Sequence, residues 1–217
     1  MANYCFDLDG TLINSINGIY ASLVYSLKKN NLKIFPKNKL KKYLGPPLSS
    51  YIGKLISENL ENQIKKNIIK DFRIHHDKEG YKLYELYPYT LEVLKKIKYI
   101  KNNKLFIVTN KPFNVTINSL KKFDIYNFFD DIFAIDNSSD NFKIIPNDFE
   151  RRKNNYLKLI ENNYEDENNF FIGDTESDYE ATSDNEFKFI FVEYGYGSLQ
   201  ISNSKFQTIQ NLLELKI

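Results

Sequence analysis

The chain has 217 residues, enough at about 100 to 200 residues per domain for one large domain or a core carrying one sizeable insertion, and too few for a long solenoid or a multidomain machine. Hydrophobic residues make up 42%, aromatic residues 15% and charged residues 27%, the usage of a globular protein and not of a disordered one. With 30 Lys and Arg against 28 Asp and Glu the formal charge is only +2, too weak a field for a protein that lives on nucleic acid.

In chain order, Asn3 to Leu8 is the first short run rich in β-branched and aromatic residues, and reads as a strand. It contains Cys5, the single cysteine, which excludes an internal disulfide and a Cys-based zinc cage and is best explained as packing. Ile16, Ile19, Tyr20, Leu23, Val24 and Leu27 then fall at helical spacing, as do Leu48, Tyr51, Ile52, Leu55 and Ile56, so two amphipathic helices follow. Pro36 opens a short helix that Gly45-Pro46-Pro47 stops, and the Lys-rich stretch from Glu58 to Glu79 reads as a further helix ending at Gly80. Almost a hundred residues separate the first strand from the second, far more than one crossover helix needs, so a helical insertion follows strand one.

The chain re-enters the core near Tyr87-Pro88 with a helix over Thr90 to Ile100. Four more strand-like runs follow: Lys104 to Thr109, Asp131 to Ile135 with its flanks, Asn168 to Ile172, and Phe187 to Val192. Helical patterns come after most of them, and this alternation specifies an α/β fold, a mostly parallel, doubly wound sheet with helices on both faces. The first residues lack the basic start and apolar middle of a signal peptide, and the strongest apolar runs, such as Leu105 to Val108, are far below membrane-spanning length. The expectation is a cytoplasmic protein, monomeric or homodimeric, that binds neither nucleic acid nor membrane and meets its partners through a site.

Three strand ends carry the chemistry. Asp7-Leu8-Asp9-Gly10-Thr11 follows the first strand, where Asp7 and Asp9 can share a face while Leu8 points inward and Gly10 lets the chain turn. Carboxylates are thereby placed at the C-terminal edge of a parallel sheet, where open α/β folds bind ligands. Thr109-Asn110-Lys111-Pro112 brings a hydroxyl, an amide and free backbone N–H groups to a helix N-terminus, an oxyanion or phosphate seat. Gly173-Asp174-Thr175-Glu176-Ser177-Asp178 adds two more carboxylates at the same edge. Acids crowded in this way call for a hard cation with oxygen ligands or a retained proton, and Mg2+ is the economical choice. With Asp7 and Asp174 around it, Asp7 could attack phosphorus and Asp9 could protonate the departing oxygen.

Phe6-Asp7-Leu8-Asp9-Gly10-Thr11-Leu12, Val108-Thr109-Asn110, and Gly173-Asp174 with Asp178 resemble motifs one, two and four of the haloacid dehalogenase superfamily, in the right order and across most of the chain. Leu44-Gly45-Pro46-Pro47-Leu48, Thr109 to Pro112 and Gly195-Tyr196-Gly197 are similar to its phosphoglycolate phosphatase-like branch. The resemblance implies a Rossmann-like core over residues 1–14 and 86–217, with a helical cap over 15–85 that opens and closes about Leu12 to Ser15 and Leu86 to Pro88. It implies a Mg2+-dependent phosphomonoester hydrolase acting on a small phosphate metabolite, phosphoglycolate among the candidates. Asp7 would form an aspartyl-phosphate, Asp9 would act as acid and then base, and Thr109 and Asn110 would hold phosphate. Asp174 would bind the metal with Asp7 and the backbone carbonyl of Asp9, supported by Asp178 and Gly10. The phosphate-binding lysine of motif three lacks its usual Lys-Pro context, and Lys153 is chosen for it, with Arg152 and Lys143 as alternatives.

Dehalogenation is disfavoured because halide leaves without a proton, so an acid at Asp9 would have nothing to do. The rival readings are a phosphotransferase or mutase that passes the phosphoryl group to a sugar, and a catalytically quiet binding protein on the same fold. Alone, an Asp-x-Asp is often a capped turn and Thr109-Asn110 an N-cap; the ordered set at three strand ends carries the functional reading. His75 and His76 are adjacent on a helix, point in different directions and do not suit a metal site. The lysines around Lys28, Lys41 and Lys65 are solvated helix faces, and the tyrosines from Tyr81 to Tyr89 are core packing at the insertion's seam.

Overall fold

The computed structural model describes residues 1–57, 59–135, 151–164, 168–197 and 206–217. Six strands form one parallel sheet: β1 (Asn3–Phe6), β4 (Lys104–Pro112), β5 (Asp131–Ile135), β6 (Asn169–Gly173), β7 (Phe187–Val192) and β8 (Gln207–Ile209), in the order β5-β4-β1-β6-β7-β8. Each neighbouring pair is parallel, so β1 lies mid-sheet between β4 and β6, and the mouths of the three motif-bearing strands are adjacent. The α/β, doubly wound reading holds.

Alternation along the strands divides the core. Tyr4, Phe6, Leu105, Ile107, Ile172 and Ile190 face one side, where α4 (Thr90–Tyr99) and α5 (Phe113–Lys122) supply Val93, Leu94, Ile97 and Leu120. Cys5, Phe106, Val108, Phe171, Phe189 and Phe191 face the other, covered by Tyr156, Leu157 and Ile160 of α6 (Arg152–Asn163). Residues that are hydrophobic on both sides of a strand belong in a sheet sandwiched by helices. Cys5 is fully buried, and burial pushes its thiol well above the usual range, so it is a packing residue.

Residues 16–83 build a separate apolar cluster. α1 (Ile16–Lys29) contributes Leu23 and Leu27, α2 (Leu48–Ile56) Tyr51, Ile52 and Leu55, and α3 (Asn62–His76) Ile68. Tyr196, from the loop after β7, inserts into it. Two short strands, β2 (Ile13–Asn14) and β3 (Glu85–Leu86), pair antiparallel where this unit joins the sheet. The Leu12 carbonyl accepts from the Tyr87 N–H at 3.0 Å and the Thr90 hydroxyl at 3.2 Å, which ties the two crossing strands together.

Several local expectations need correction. The first strand ends at Phe6 and not Leu8, because the Leu8 carbonyl accepts from both Leu12 and Ile13 at 3.0 Å and turns the chain back. Between Pro36 and Gly45 there are only 3-10 turns, at Lys37–Lys39 and Lys41–Tyr43. The third helix starts at Asn62, since Ser57 to Leu60 close a turn first, and ends at His76. Pro112 stands just before its helix, at the cap. Among the described residues no helix is long and apolar enough to cross a membrane.

Candidate active site

Asp7 leaves the end of β1 with its N–H still bonded to the Ile172 carbonyl at 2.9 Å, so its carboxylate emerges at the mouth between β1 and β6. Gly10 follows at φ +94°, a backbone that L residues adopt with strain, and a Cβ there would sit 2.2 Å from Asp174 Oδ2. Glycine therefore allows the turn after β1 to lie directly against Asp174. That residue is fully buried at the end of β6 and accepts from the Tyr196 N–H at 2.7 Å and the Thr11 hydroxyl at 3.3 Å.

Asp178 belongs to the short helix α7 (Glu176–Glu180), capped by Thr175 in a reciprocal box. Its Oδ2 accepts from the Thr175 N–H at 3.0 Å and the Thr175 hydroxyl at 2.6 Å. Oδ1 is thereby turned to the site, where it accepts from Lys153 Nζ at 2.6 Å; the same nitrogen donates to Asp7 Oδ1 at 2.7 Å. Lys153 is buried in the first turn of α6. Arg152, its neighbour, is buried but lines neither cavity at the site, and Lys143 lies outside the described residues.

Asp7, Asp174 and Asp178 offer oxygens that all lie within 4.8 Å of one another, every one of them buried. One ammonium faces three carboxylates, and the imbalance appears in their acidity. Asp7 is raised from 3.8 to about 7, chiefly by burial, with Lys153 opposing and Asp178 and Asp9 adding to the rise. Asp174 is raised to about 8 by burial and then by Asp178 and Asp7. Burial pulls the Lys153 ammonium down, but Asp178 and Asp7 more than reverse it and leave it raised. A donor set of hard oxygens with surplus negative charge suits a divalent cation such as Mg2+, and these residues fit one.

The Asp9 side chain stands outside this trio. Both its oxygens accept from Lys111 Nζ, at 3.0 and 2.7 Å. The third proton of that ammonium goes to the Tyr84 hydroxyl at 2.8 Å, and Tyr84 in turn bonds His76 Nε2 on α3. A lysine only donates, so the Tyr84 hydroxyl accepts from Lys111 and shares its other hydrogen bond with the His76 ring nitrogen. Lys111, Tyr84 and His76 are all buried, and burial lowers the His76 pKa, leaving the ring neutral. The sequence reading passed over this chain. Lys111 was within view, because residues 109 and 111 share a face of an extended strand and Thr109 lay in the expected site. Tyr84 and His76 carried no local signal.

Thr109 is buried, lines the same cavity as Asp7 and Asp9, and its hydroxyl accepts from the Lys111 N–H at 3.2 Å. Asn110 borders both cavities that meet at Asp7, and its buried amide oxygen has no partner among the described residues. His75 and His76 diverge as expected, His75 stacking on Tyr25 and bonding Ser22. Gly195-Tyr196-Gly197 does more than its length suggested. Its tyrosine N–H holds Asp174, while the hydroxyl accepts from the Ser15 N–H at 2.6 Å, so one residue joins the acid cluster to the start of the helical insertion.

No curated protein matches the chain significantly. Solved structures do. A haloacid dehalogenase-like hydrolase of Streptococcus pneumoniae superposes with a TM-score of 0.79 at 21% identity, over 98% of this chain and 95% of that one. A predicted phosphatase of Clostridium acetobutylicum gives 0.75 at 25%, over 95% and 93%, and a predicted phosphoglycolate phosphatase of Haemophilus somnus gives 0.81 at 23%, over 96% and 93%. The family model described as haloacid dehalogenase-like hydrolase matches residues 4–192, a span that takes in all three motif-bearing strand ends, Lys153 and the helical insertion, and the chain is a member of that family.

Proposed function

We propose that the protein is a Mg2+-dependent phosphatase of small phosphate monoesters that works through a phosphoryl-Asp7 intermediate, with residues 1–14 and 86–217 as its catalytic core and 15–85 as a cap. The observation that carries the reading is the buried trio Asp7, Asp174 and Asp178, bridged by Lys153, with a separately held carboxylate, Asp9, beside it. The names of the phosphatases of similar fold agree with it.

Asp7 Oδ attacks phosphorus as the ester P–O bond breaks, and the departing oxygen takes the proton of Asp9, which enters this step as the neutral carboxylic acid and leaves it as the carboxylate. Asp9 then accepts a proton from water as that water attacks phosphorus, and the Asp7–phosphorus bond breaks to release inorganic phosphate. Asp7, Asp174 and the Asp9 carbonyl, with Asp178 behind them, would hold a divalent cation, which would supply positive charge for the transferring oxygens. Lys153 adds a second positive charge at the same place, and Thr109, Asn110 and the N–H groups beside them offer donors. Lys111, bonded to the Asp9 side chain, fixes the position of that carboxyl group beside Asp7.

Release of phosphate from an aryl phosphate with Mg2+ tests the reading, and labelled phosphate appearing on a sugar acceptor instead of water would make the enzyme a transferase. Lys153→Met should cost about 10²- to 10³-fold in kcat, the scale of one lost electrostatic donor; near-complete activity would move the phosphate-binding cation elsewhere. Lys111→Met should lower kcat by about 10²-fold with little change in KM, since the proton-transfer group loses its orientation and not the substrate its seat. Steady-state kinetics on the aryl ester measure both, and an unchanged kcat would make the Asp9–Lys111 pair purely structural.

A further inference from the structure

Two cavities meet at Asp7, and they differ in what stands next to Asp9. The smaller, about 120 Å3, is lined by Asp9 and by Ile19, Leu48, Tyr51 and Phe72 of the helical insertion, with His76 behind them. The larger, about 390 Å3, is bordered by Lys42, Thr175, Glu176 and Ser177 and does not include Asp9. On the phosphatase reading, on which this inference rests, the leaving oxygen must come within about 2.6–3.2 Å of Asp9 to receive its proton. The alcohol portion of the substrate is therefore directed into the smaller cavity, whose lining does not include Lys42.

The smaller cavity holds no spare positive charge among the described residues. Lys153 is committed to Asp7 and Asp178. Lys111 spends its three protons on the two Asp9 oxygens and the Tyr84 hydroxyl. His76 is buried with its pKa lowered by that burial. The remaining wall is mostly aliphatic and aromatic, broken by the neutral side chains of Thr109 and Asn110, and 120 Å3 is below the ~300–1,000 Å3 of common ligand pockets. A carboxylate placed there would lose its water and meet only neutral donors, with no unpaired cation to offset the burial of its charge.

We infer that the substrates are phosphate monoesters of small, uncharged alcohols whose carbon skeleton packs on Ile19, Leu48, Tyr51 and Phe72, and that esters with a second negative charge on the alcohol, phosphoglycolate included, are rejected. Specificity then comes from an unpaired charge facing the wrong substrate.

Three esters of similar size separate the effects: propyl phosphate, the uncharged amide 2-amino-2-oxoethyl phosphate, and 2-phosphoglycolate, each assayed with Mg2+ for phosphate release. The first two should exceed phosphoglycolate in kcat/KM by at least about 30-fold, the scale of a buried polar group left without a partner. Leu48→Arg, or Ile19→Lys should that variant fold poorly, should raise the phosphoglycolate to propyl phosphate ratio by about 10-fold or more, on the scale of a newly supplied charge partner. Equal kcat/KM for the three esters, or a preference for phosphoglycolate, would overturn the inference while leaving the phosphatase reading intact. No turnover of any ester, the aryl phosphate included, would instead remove the phosphatase reading and this inference with it.

Discussion

Asp7→Asn is expected to lose about 10⁴-fold or more in turnover, on the scale of removing a nucleophile that acts as part of a unit, and at the same time to hold or raise the melting temperature of the metal-free protein at pH 8. The two halves come from the same surroundings. The amide keeps the shape of the carboxylate but cannot form an acyl phosphate. Asp7 lies buried among Asp178, Asp174 and Asp9, and its pKa of about 7 means that the net environment disfavours the ionised form even though Lys153 donates to it. A neutral side chain removes that penalty, and Lys153 keeps Asp178 at 2.6 Å. Phosphate release and calorimetry on one preparation measure both; retention of more than about 1% of activity would rule out covalent catalysis at this residue.

The metal-free protein is expected to lose stability as pH rises, and Mg2+ to restore it most at the alkaline end. Asp7 at about 7 and Asp174 at about 8 both lie above the ordinary 3.8. Between these limits the folded chain keeps protons that the unfolded chain has released. Stability therefore falls from about pH 4 onward, and the loss is complete once both folded-state values are passed, above about pH 8. A divalent cation competes with those protons, so it binds more tightly at high pH and releases them on binding. At a metal concentration of 100 times Kd the stabilisation is about 2.7 kcal/mol, or about 5–10 °C for a chain of this size. Scanning calorimetry with chelator and with Mg2+ at pH 5 and pH 8.5 gives the four melting temperatures, and Asp174→Asn serves as the control in which the pH contrast shrinks. A Mg2+ shift equal at both pH values would mean that the cation binds away from the acid cluster.

What could be read locally was what local chemistry controls. β1, β5 and β7 lie within the runs expected, while β4 continues to Pro112 and β6 to Gly173; all five were legible because strands buried on both faces need unbroken apolar residues such as Leu105 to Val108. β8 has only Gln207, Thr208 and Ile209, and it is a strand because β7 offers an open edge, not because of its own pattern. The two-residue strands β2 and β3 exist only through their pairing. Helix ends moved by a few residues for the same kind of reason: a carbonyl or a turn elsewhere accepts the bonds.

For the candidate site the division is sharper. The amino-acid sequence alone determined that acids stand at the ends of two strands with a glycine beside each, and a hydroxyl and an amide at the end of a third, since turn chemistry and strand periodicity are properties of adjacent residues. Only the tertiary structure decided how their charges pair. Lys153 meets Asp7 across 146 positions, and Lys111 meets Asp9 across 102. His76 and Tyr84 are only eight positions apart, and the link that carries them to the site is Tyr84 to Lys111 across 27 positions. Ion pairs and buried cavities depend on distance through space, and distance along the chain carries almost no information about it once the separation exceeds a helix or a hairpin.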